Sequence, residues 1–322
     1  MYGSDAEIKA VHMYGTTRKK GVVSKIWQHK VLYMFLLPSL VFVVVFNYRP
    51  MIGIIMAFQN YDILKGLYGS PFVGLNNFIE FLHKPDFYIA LKNTLGINLF
   101  ALIIAFPLPI VFAIALSELR CKNGIKKIIQ SISFLPRFIS WVIVAGLFYK
   151  FLERDYGLVN LLLEKIGLEK VSFFGEARYF WGIYIFSVVW KDLGWNAILY
   201  LSAMTSISPE LYEAAEADGA SRLRRIWHIT LPGILPTIVT LLILFISSFF
   251  SSSGMMEPIL VLRNAMVADA SDVIDVYSMF AGIQQGHYSY AAAIGVSQSV
   301  ISLLLLVGVN KTLKKITGYS LF

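Results

Sequence analysis

The 322-residue sequence is poor in cysteine and in charge. Its single cysteine, Cys121, excludes an intrachain disulfide, and no cluster of Cys and His has the spacing of a metal site. Charged residues make up only 15% of the chain, whereas soluble domains contain about 25%. The chain also lacks any Gly-Lys dipeptide, which the P-loop of ATP-binding proteins requires. These absences exclude a disulfide-rich secreted domain and a P-loop ATPase.

The sequence has long apolar runs instead, because 57% of its residues are hydrophobic. A membrane core about 30 Å thick needs about 20 residues of helix to cross it. Backbone polar groups in lipid must bond within their own segment, so runs of this length favour helices. The sequence therefore predicts an all-α membrane protein with six transmembrane helices, at roughly 32–56, 93–117, 132–150, 179–204, 234–254 and 289–310.

The basic residues predict how these helices are oriented. The formal charge is +8, and Lys and Arg lie mostly at the ends of apolar runs rather than in a nucleic-acid-binding pattern. Loops on the side of the N-terminus hold 16 of them, and loops on the other side hold 10. Since cytoplasmic loops are enriched in Lys and Arg, both termini are predicted to be cytoplasmic. Residues 1–30 form a charged N-terminal segment of open role, and 31–322 form the transmembrane domain.

Prolines mark the predicted breaks in this domain. Pro107 and Pro109 interrupt the second span, and Pro136 opens the third. A second short helix is predicted from Ser221 to about Thr230, and Pro232 and Pro236 then set the entry into the fifth span. Such kinks are tolerated in membrane helices, so they do not by themselves indicate a transport path.

The predicted outer loops are unusually apolar. Aromatic residues recur among Gly and Asn in 57–92, a short amphipathic stretch lies in 151–178, and 255–288 mixes Asp with Tyr. Two interpretations fit this composition. The loops pack as a cap over the spans, or they bind an extracytoplasmic partner.

Residues 208–236 form a long polar interruption between the fourth and fifth spans. Ser208 and Pro209 are typical of a helix start, and Asp218-Gly219 supplies a break at which glycine takes a left-handed conformation. The alanine-rich helix between them is thin enough to enter a groove on another protein. The alternative is an amphipathic connector that lies on lipid headgroups, supported by Arg222, Arg224, Arg225 and Trp227.

The order of residues in this loop resembles the signature cytoplasmic loop of permease subunits of bacterial ATP-binding-cassette (ABC) importers. The signature E-A-A-x-x-D-G-A, followed by I-x-L-P, reads here as Glu213 to Ala220 and then Ile229, Leu231 and Pro232. Two further stretches resemble carbohydrate-uptake permeases related to the maltose system: W-K-D-L-G-W-N-A-I-L-Y-L-S-A-M at Trp190–Met204 and D-V-I-D-V-Y at Asp272–Tyr277. Together with the six spans, the resemblance covers nearly all of the chain after residue 30.

The resemblance implies a type I ABC importer permease fold, with a cytoplasmic coupling helix between helices 4 and 5. In such permeases this helix docks into a cleft of the ATPase subunit. Glu213 is expected to pair with a basic group in that cleft, and Gly219 to make the turn. The matching positions are Glu213, Ala214, Ala215, Asp218 and Gly219. Closure of two ATPase subunits on ATP would then pull the helix and reorient the spans.

The resemblance also implies partners. They are a second related permease subunit, two ABC ATPase subunits and an extracytoplasmic solute-binding protein, and a second copy of this chain stays open as the other permease. ATP and Mg²⁺ are expected on the ATPase subunits, so this chain is predicted to be no enzyme, with no cofactor, metal or catalytic residue. Its expected location is the bacterial cytoplasmic (inner) membrane.

Candidate residues for the translocation path lie in the fourth and fifth spans. A charge at the bilayer centre, such as that of Lys191, costs about 2.5–3.5 kcal/mol and normally faces a cavity or a partner. Aromatic side chains offer faces to sugar rings, and small polar ones offer hydrogen bonds. The candidates are Trp190, Lys191, Asn196, Tyr200, Ser247 and Ser251. For each of them the alternative is helix packing, lipid contact or a subunit interface.

The basic residues leave the solute open. Lys191 and Arg49 are compatible with an acidic oligosaccharide, such as a uronate fragment of alginate or pectin. Neutral sugars fit equally well, because the positive charges also serve orientation. Two other classes stay open as well: an ion-coupled secondary transporter, and a membrane scaffold whose loop docks a partner. Secondary transporters often contain internal repeats, and no convincing repeat is evident here.

Overall fold

The computed structural model describes residues 27, 29–119, 123–250 and 254–322. Cys121, Ser251 and most of the predicted N-terminal segment lie outside these residues. The chain divides into two compact units, with the boundary between Ile54 and Ile55. In the first unit, helix α1 (Lys30–Val43) continues through a π-helical turn (Val44–Tyr48) into the start of a 3₁₀ segment (Arg49–Phe58).

The second unit is helical throughout its described residues, apart from turns and one isolated antiparallel bridge between Gln59 and Phe72. The all-α prediction is therefore confirmed. Its helices are α2 (Gly66–Gly69), α3 (Asn76–Leu82), α4 (Pro85–Phe100), α5 (Pro107–Glu118), α6 (Asn123–Phe134), α7 (Trp141–Leu152), α8 (Leu158–Lys165), α9 (Phe180–Thr205), α10 (Pro209–Ala217), α11 (Arg222–Arg225), α12 (Leu231–Ser247), α13 (Met256–Leu262), α14 (Ala268–Ser271), α15 (Ile274–Met279) and α16 (Tyr288–Thr317).

Several helices are suited to crossing a membrane. In the described parts of the chain, four helical stretches are long and apolar enough: Lys30–Phe58, Pro85–Glu118, Arg222–Phe250 and Tyr288–Thr317. A fifth is formed if Gly124–Phe138 and Trp141–Leu152, which are bent by 101°, make one broken span. Helix α9 has 26 residues, but Lys191 and Asp192 lower its mean hydropathy. Several membrane helices are thus confirmed, whereas the count of six stays a prediction.

The prolines have unequal effects. Pro107 begins α5 directly after a π-helical turn, and the helical stretch Pro85–Glu118 continues through it. Pro136 lies in a 3₁₀ turn at the sharp bend before α7. The short helix predicted to end at about Thr230 instead runs through a π-helical turn (Ile226–Thr230) into α12, which contains both Pro232 and Pro236. A proline just after a π-helical turn falls where the regular hydrogen-bond ladder is already interrupted.

Helix α9 lies at the centre of the second unit. It packs against α5, α6 and α12, and α12 in turn packs against α16. Ala113 of α5 and Ala197 of α9 are fully buried beside Tyr200. Such small side chains allow membrane helices to approach closely. A second buried cluster joins Ile97, Val144 and other apolar residues to the N-terminal end of α9.

The loops that the sequence predicts to be outer pack onto the helices, as the first interpretation of their apolar composition expects. Phe81 and Phe87 join Tyr290 of α16 in one buried cluster. The buried side chain of Asn77 donates to the carbonyl oxygens of Ala57 and Gln59 at 2.8 and 2.9 Å. Buried amides that satisfy loop carbonyls in this way stabilise an irregular backbone. Binding of an outside partner by these loops stays a prediction.

Candidate functional site

A cavity of about 600 Å³ opens beside α9. Residues of α4, α5, α9, α12 and α13 contribute to its wall. Apolar and aromatic side chains make up much of the wall, and its polar and charged members are Asn98, Arg137, Tyr184, Asp192, Asn196, Tyr200, Ser248 and Glu257. A wall of this mixed type suits a solute that has both hydroxyl groups and apolar ring faces.

One face of α9 supplies a stripe of this wall. Tyr184, Val188, Asp192, Asn196 and Tyr200 recur every four residues, and all five line the cavity. Residues four apart lie on the same face of a helix, one turn above another. Asn196 and Tyr200, two of the residues predicted for the path, therefore lie in the wall of the same cavity.

An ion pair lies in the wall next to this stripe. A guanidinium nitrogen of Arg137 is 2.6 Å from Oδ1 of Asp192, and the guanidinium lies 5.8 Å from the centre of the Trp195 ring. Arg137 belongs to the 3₁₀ turn at the bend before α7. The path residues predicted from the sequence include neither member of this pair. The four-residue spacing from Asn196 back to Asp192 was a usable signal, but nothing in the sequence connects Asp192 with Arg137.

Lys191 makes different contacts from its neighbour Asp192. Its side chain is buried, and Nζ donates to the carbonyl oxygens of Pro136 at 3.2 Å, of Arg137 at 2.9 Å and of Ile139. These carbonyls belong to the broken backbone between α6 and α7, where a continuous helix would have bonded them. The described residues that line the cavity do not include Lys191. Its charge is satisfied by the bend instead.

The other predicted path residues are placed apart from the cavity. Trp190 is two positions from Asp192, about 200° around the helix, and lies in an apolar groove with Phe148 and Phe186. Ser247 Oγ donates to a carbonyl of its own helix at 2.8 Å. The next residue, Ser248, lines the cavity. Ser251 lies outside the described residues.

The polar loop at 208–236 forms the exposed helix α10. Pro209 occupies its first turn, and the chain leaves it at Gly219 with a φ of +74°. The left-handed conformation expected there is confirmed, and the Ala220 N–H closes the end by donating to the Ala215 carbonyl at 2.8 Å. Ser208 occupies the N-cap position, but its side chain does not make the capping hydrogen bond.

The residues predicted for docking are presented on α10 and its C-terminal turn. Glu213, Ala214, Asp218 and Gly219 are exposed, and Ala215 is half-buried. The exposed Leu211 adds an apolar side chain to this helix. The short helix α10 thus ends in a left-handed turn and carries exposed small, apolar and acidic residues.

Helix α10 is also tied to the start of the next long helix. The Tyr212 hydroxyl lies 3.0 Å from Oγ1 of Thr230, which is buried. A guanidinium nitrogen of Arg225 lies 3.3 Å from a carboxylate oxygen of Glu216, and the Arg225 side chain is only 11% exposed. These two contacts fix α10 to the helical stretch Arg222–Phe250.

Comparison with known proteins gives a consistent result. Residues 105–309 match the family described as the inner membrane component of binding-protein-dependent transport systems. The chain is 40% identical over 317 residues to the polygalacturonan/rhamnogalacturonan transport system permease protein YteP of Bacillus subtilis (strain 168), with 98% of each chain covered.

Solved structures agree in fold. One is a bacterial ABC transporter involved in the import of the acidic polysaccharide alginate; it has a TM-score of 0.83 at 37% identity, covering 91% of this chain and 98% of that one. Another is a bacterial alginate ABC transporter in complex with a periplasmic protein bound to an alginate pentasaccharide, with a TM-score of 0.84 at 36% identity, covering 93% and 99%. This chain therefore belongs to the family of inner-membrane permease components of binding-protein-dependent transport systems.

Proposed function

We propose that this chain is the permease subunit of an ATP-driven importer that carries an oligosaccharide across the cytoplasmic membrane by alternating access. Its partners are a second related permease, two ABC ATPase subunits and an extracytoplasmic solute-binding protein. Family membership favours this function over an ion-coupled secondary transporter and over a scaffold. The solved relative with a loaded periplasmic protein supports delivery of the solute from outside.

The proposed topology has six spans. It counts α9 as the fourth span, despite its charged pair, and α6 with α7 as the third. Residues 31–322 then form a single transmembrane domain, both termini face the cytoplasm, and α10 is the coupling helix between helices 4 and 5. The distribution of Lys and Arg supports this orientation.

One observation carries the proposal: a single helical stretch connects the docking helix with the cavity. Thr230, near the start of Arg222–Phe250, contacts Tyr212 of α10, and Leu241 and Ser248 of the same stretch line the cavity. At 1.5 Å per residue, Thr230 and Ser248 are roughly 27 Å apart along the helix. A movement of α10 is therefore transmitted to the cavity wall without passing through a flexible loop.

The residues proposed for coupling are those of the exposed turn. Glu213 pairs with a basic group of the ATPase subunit, Ala214 and Ala215 allow close approach, and Asp218-Gly219 sets the turn. ATP and Mg²⁺ bind to the ATPase subunits, and this chain holds no cofactor of its own. The exposure of Glu213 and Ala214 supports this role.

We propose an acidic, uronate-type solute. Two similar transporters support this proposal, one described as a transporter of polygalacturonan/rhamnogalacturonan and one as involved in the import of alginate. Neutral oligosaccharides are the second candidate, since asparagine and tyrosine side chains in the wall suit sugar hydroxyls.

Substrate-stimulated ATPase activity of the reconstituted complex tests the proposal. Uronate oligosaccharides delivered by the solute-binding protein are expected to stimulate ATP hydrolysis and to accumulate inside proteoliposomes. Stimulation by maltodextrin-like sugars but not by uronates would contradict the proposal of an acidic solute but not the proposal of an importer. Uptake that proceeds without any ATPase subunit would reject the importer.

A further inference from the structure

Arg137 is the one cationic side chain in the cavity wall, among the residues that the structure describes. The wall also contains two carboxylates, those of Asp192 and Glu257. An acidic solute in this cavity meets one positive group in a wall whose other charges are negative. Recognition of a solute carboxylate by this chain therefore depends on Arg137.

The guanidinium of Arg137 is engaged but not enclosed. One nitrogen donates to Oδ1 of Asp192 at 2.6 Å. The Arg137 side chain is nevertheless 44% exposed, whereas that of Asp192 is 16% exposed. A guanidinium carries five N–H donors in a planar fork that matches carboxylate geometry. The group can thus bind a second carboxylate from the cavity side, or exchange one for another.

Lys191 holds the backbone of Arg137 in place through hydrogen bonds. The Lys191 ammonium donates to the carbonyl oxygens of Arg137 and Pro136 at 2.9 and 3.2 Å. The guanidinium is therefore carried by an anchored backbone, next to Asp192 in the wall of the cavity. Lys191 is in this sense a positioning residue for Arg137.

We propose that Arg137 is the specificity-determining residue of the cavity. It binds the carboxylate of an acidic sugar unit, and Asp192 is the internal carboxylate that it exchanges for that group. This role rests on the proposed function as an oligosaccharide importer. Because Asp192 and a uronate are chemically alike, and a partly exposed ion pair contributes little net free energy, the exchange is nearly balanced. Passage requires binding that admits the solute and also releases it, and the return of Asp192 to Arg137 provides the release.

Equilibrium binding to the detergent-purified, complete importer tests this role, with tetragalacturonate and its carboxyl-reduced, neutral counterpart as probes. The wild-type complex is expected to bind the acidic probe about threefold more tightly, because the exchange with Asp192 offsets most of the roughly tenfold gain of a charge-assisted hydrogen bond. Arg137→Gln is expected to abolish this preference, and Arg137→Lys to keep part of it. Asp192→Asn is expected to increase it, since the competing carboxylate is gone. If Asp192 only maintains the fold, Asp192→Asn weakens the binding of both probes.

Arg178→Gln is the matched control. Arg178 also lies beside a carboxylate, 2.7 Å from Glu176, and over an aromatic ring, 4.7 Å from the centre of Tyr179, but it is outside the cavity wall. It is expected to leave the preference for the acidic probe unchanged.

Three results overturn the role of Arg137. Arg137→Gln keeps the wild-type preference for the acidic probe, or it weakens the binding of both probes equally, or the wild-type complex shows no preference between the probes. ATP-dependent uptake in proteoliposomes separates this failure from failure of the proposed function. If the wild type accumulates tetragalacturonate while Arg137→Gln keeps the preference, the importer stands and the role of Arg137 falls. If the wild type accumulates neither sugar when the solute-binding protein is loaded, the importer itself is contradicted.

Discussion

The ammonium of Lys191 donates to the backbone carbonyl of Arg137 at 2.9 Å, across 54 residues of sequence. This bond joins the central helix α9 to the bend before α7. Lys191 thereby satisfies carbonyls of a broken helix, while its neighbour Asp192 pairs with the Arg137 side chain in the cavity wall. Of these two adjacent charged residues, Lys191 thus stabilises the bend, and Asp192 forms part of the cavity wall.

Replacement of Lys191 by methionine is expected to destabilise the protein by about 1–3 kcal/mol. The substitution keeps much of the side-chain volume but leaves the carbonyls of Arg137 and Ile139 without their donor. Thermal unfolding of the purified complex in detergent measures this loss. Lys170→Met is the control, because Lys170 forms a partly exposed pair with Glu164 and such pairs contribute about 0–1 kcal/mol. Equal unfolding temperatures for the two variants would show that the bend does not depend on Lys191.

Tyr212→Phe is expected to lower the amount of solute imported per ATP about fivefold, with ATP hydrolysis retained. The change removes the hydroxyl that contacts Thr230, which is worth about 1 kcal/mol, and so loosens α10 from the long helix. Uptake and ATPase activity are measured in the same proteoliposomes. Tyr156→Phe, at an exposed tyrosine in the loop between α7 and α8, is the control. Unaltered coupling in Tyr212→Phe would place the transmission elsewhere.

Gly219→Ala is expected to weaken retention of the ATPase subunit during purification. A residue with a Cβ pays about 1–2 kcal/mol in the left-handed conformation that Gly219 adopts, so the turn after α10 shifts. Co-purification from detergent extracts measures the effect. Gly167→Ala carries the same backbone cost at a φ of +80°, but in the loop after α8, and is expected to retain the ATPase fully. Equal retention by both variants contradicts a docking role for the turn.

The pair of Asp272 and Arg263 predicts a pH dependence of stability. Burial raises the pKa of Asp272 above its ordinary value, although Arg263 at 2.6 Å opposes the shift. A carboxyl with a raised pKa in the folded state contributes stability that is fully present below about pH 4 and is lost as the pH rises through the raised pKa. The stability of the wild type relative to Asp272→Asn is therefore expected to fall with rising pH. Unfolding temperatures of both proteins at a series of pH values check the sign, and a rising difference would contradict it.

The sequence predicted what depends on local chemistry. Long apolar runs gave the helical fold, and the dipeptide at Asp218-Gly219 gave the end of α10, since only the local backbone decides a left-handed turn. Pro232 was misjudged, because a π-helical turn upstream let the helix continue. Proline alone does not show whether a neighbouring turn has already interrupted the hydrogen-bond ladder.

The cavity could be predicted only in part. Asn196 and Tyr200 were identified because they are a polar and an aromatic residue within an apolar predicted span, and both line the cavity. The role of Lys191 was open, since its partners are carbonyls that become available only when another helix bends. The pairing of Arg137 with Asp192 depends on how two distant segments pack, and no local pattern carries that information.

The most direct test of the account is ATP-driven accumulation of tetragalacturonate by proteoliposomes that contain this chain, its partner permease, the ATPase subunits and the loaded solute-binding protein. Accumulation is expected to require ATP and to fall strongly in a variant that combines Glu213→Ala with Gly219→Ala, while ATPase subunits no longer co-purify with that variant. Undiminished accumulation by the double variant would contradict transmission through α10.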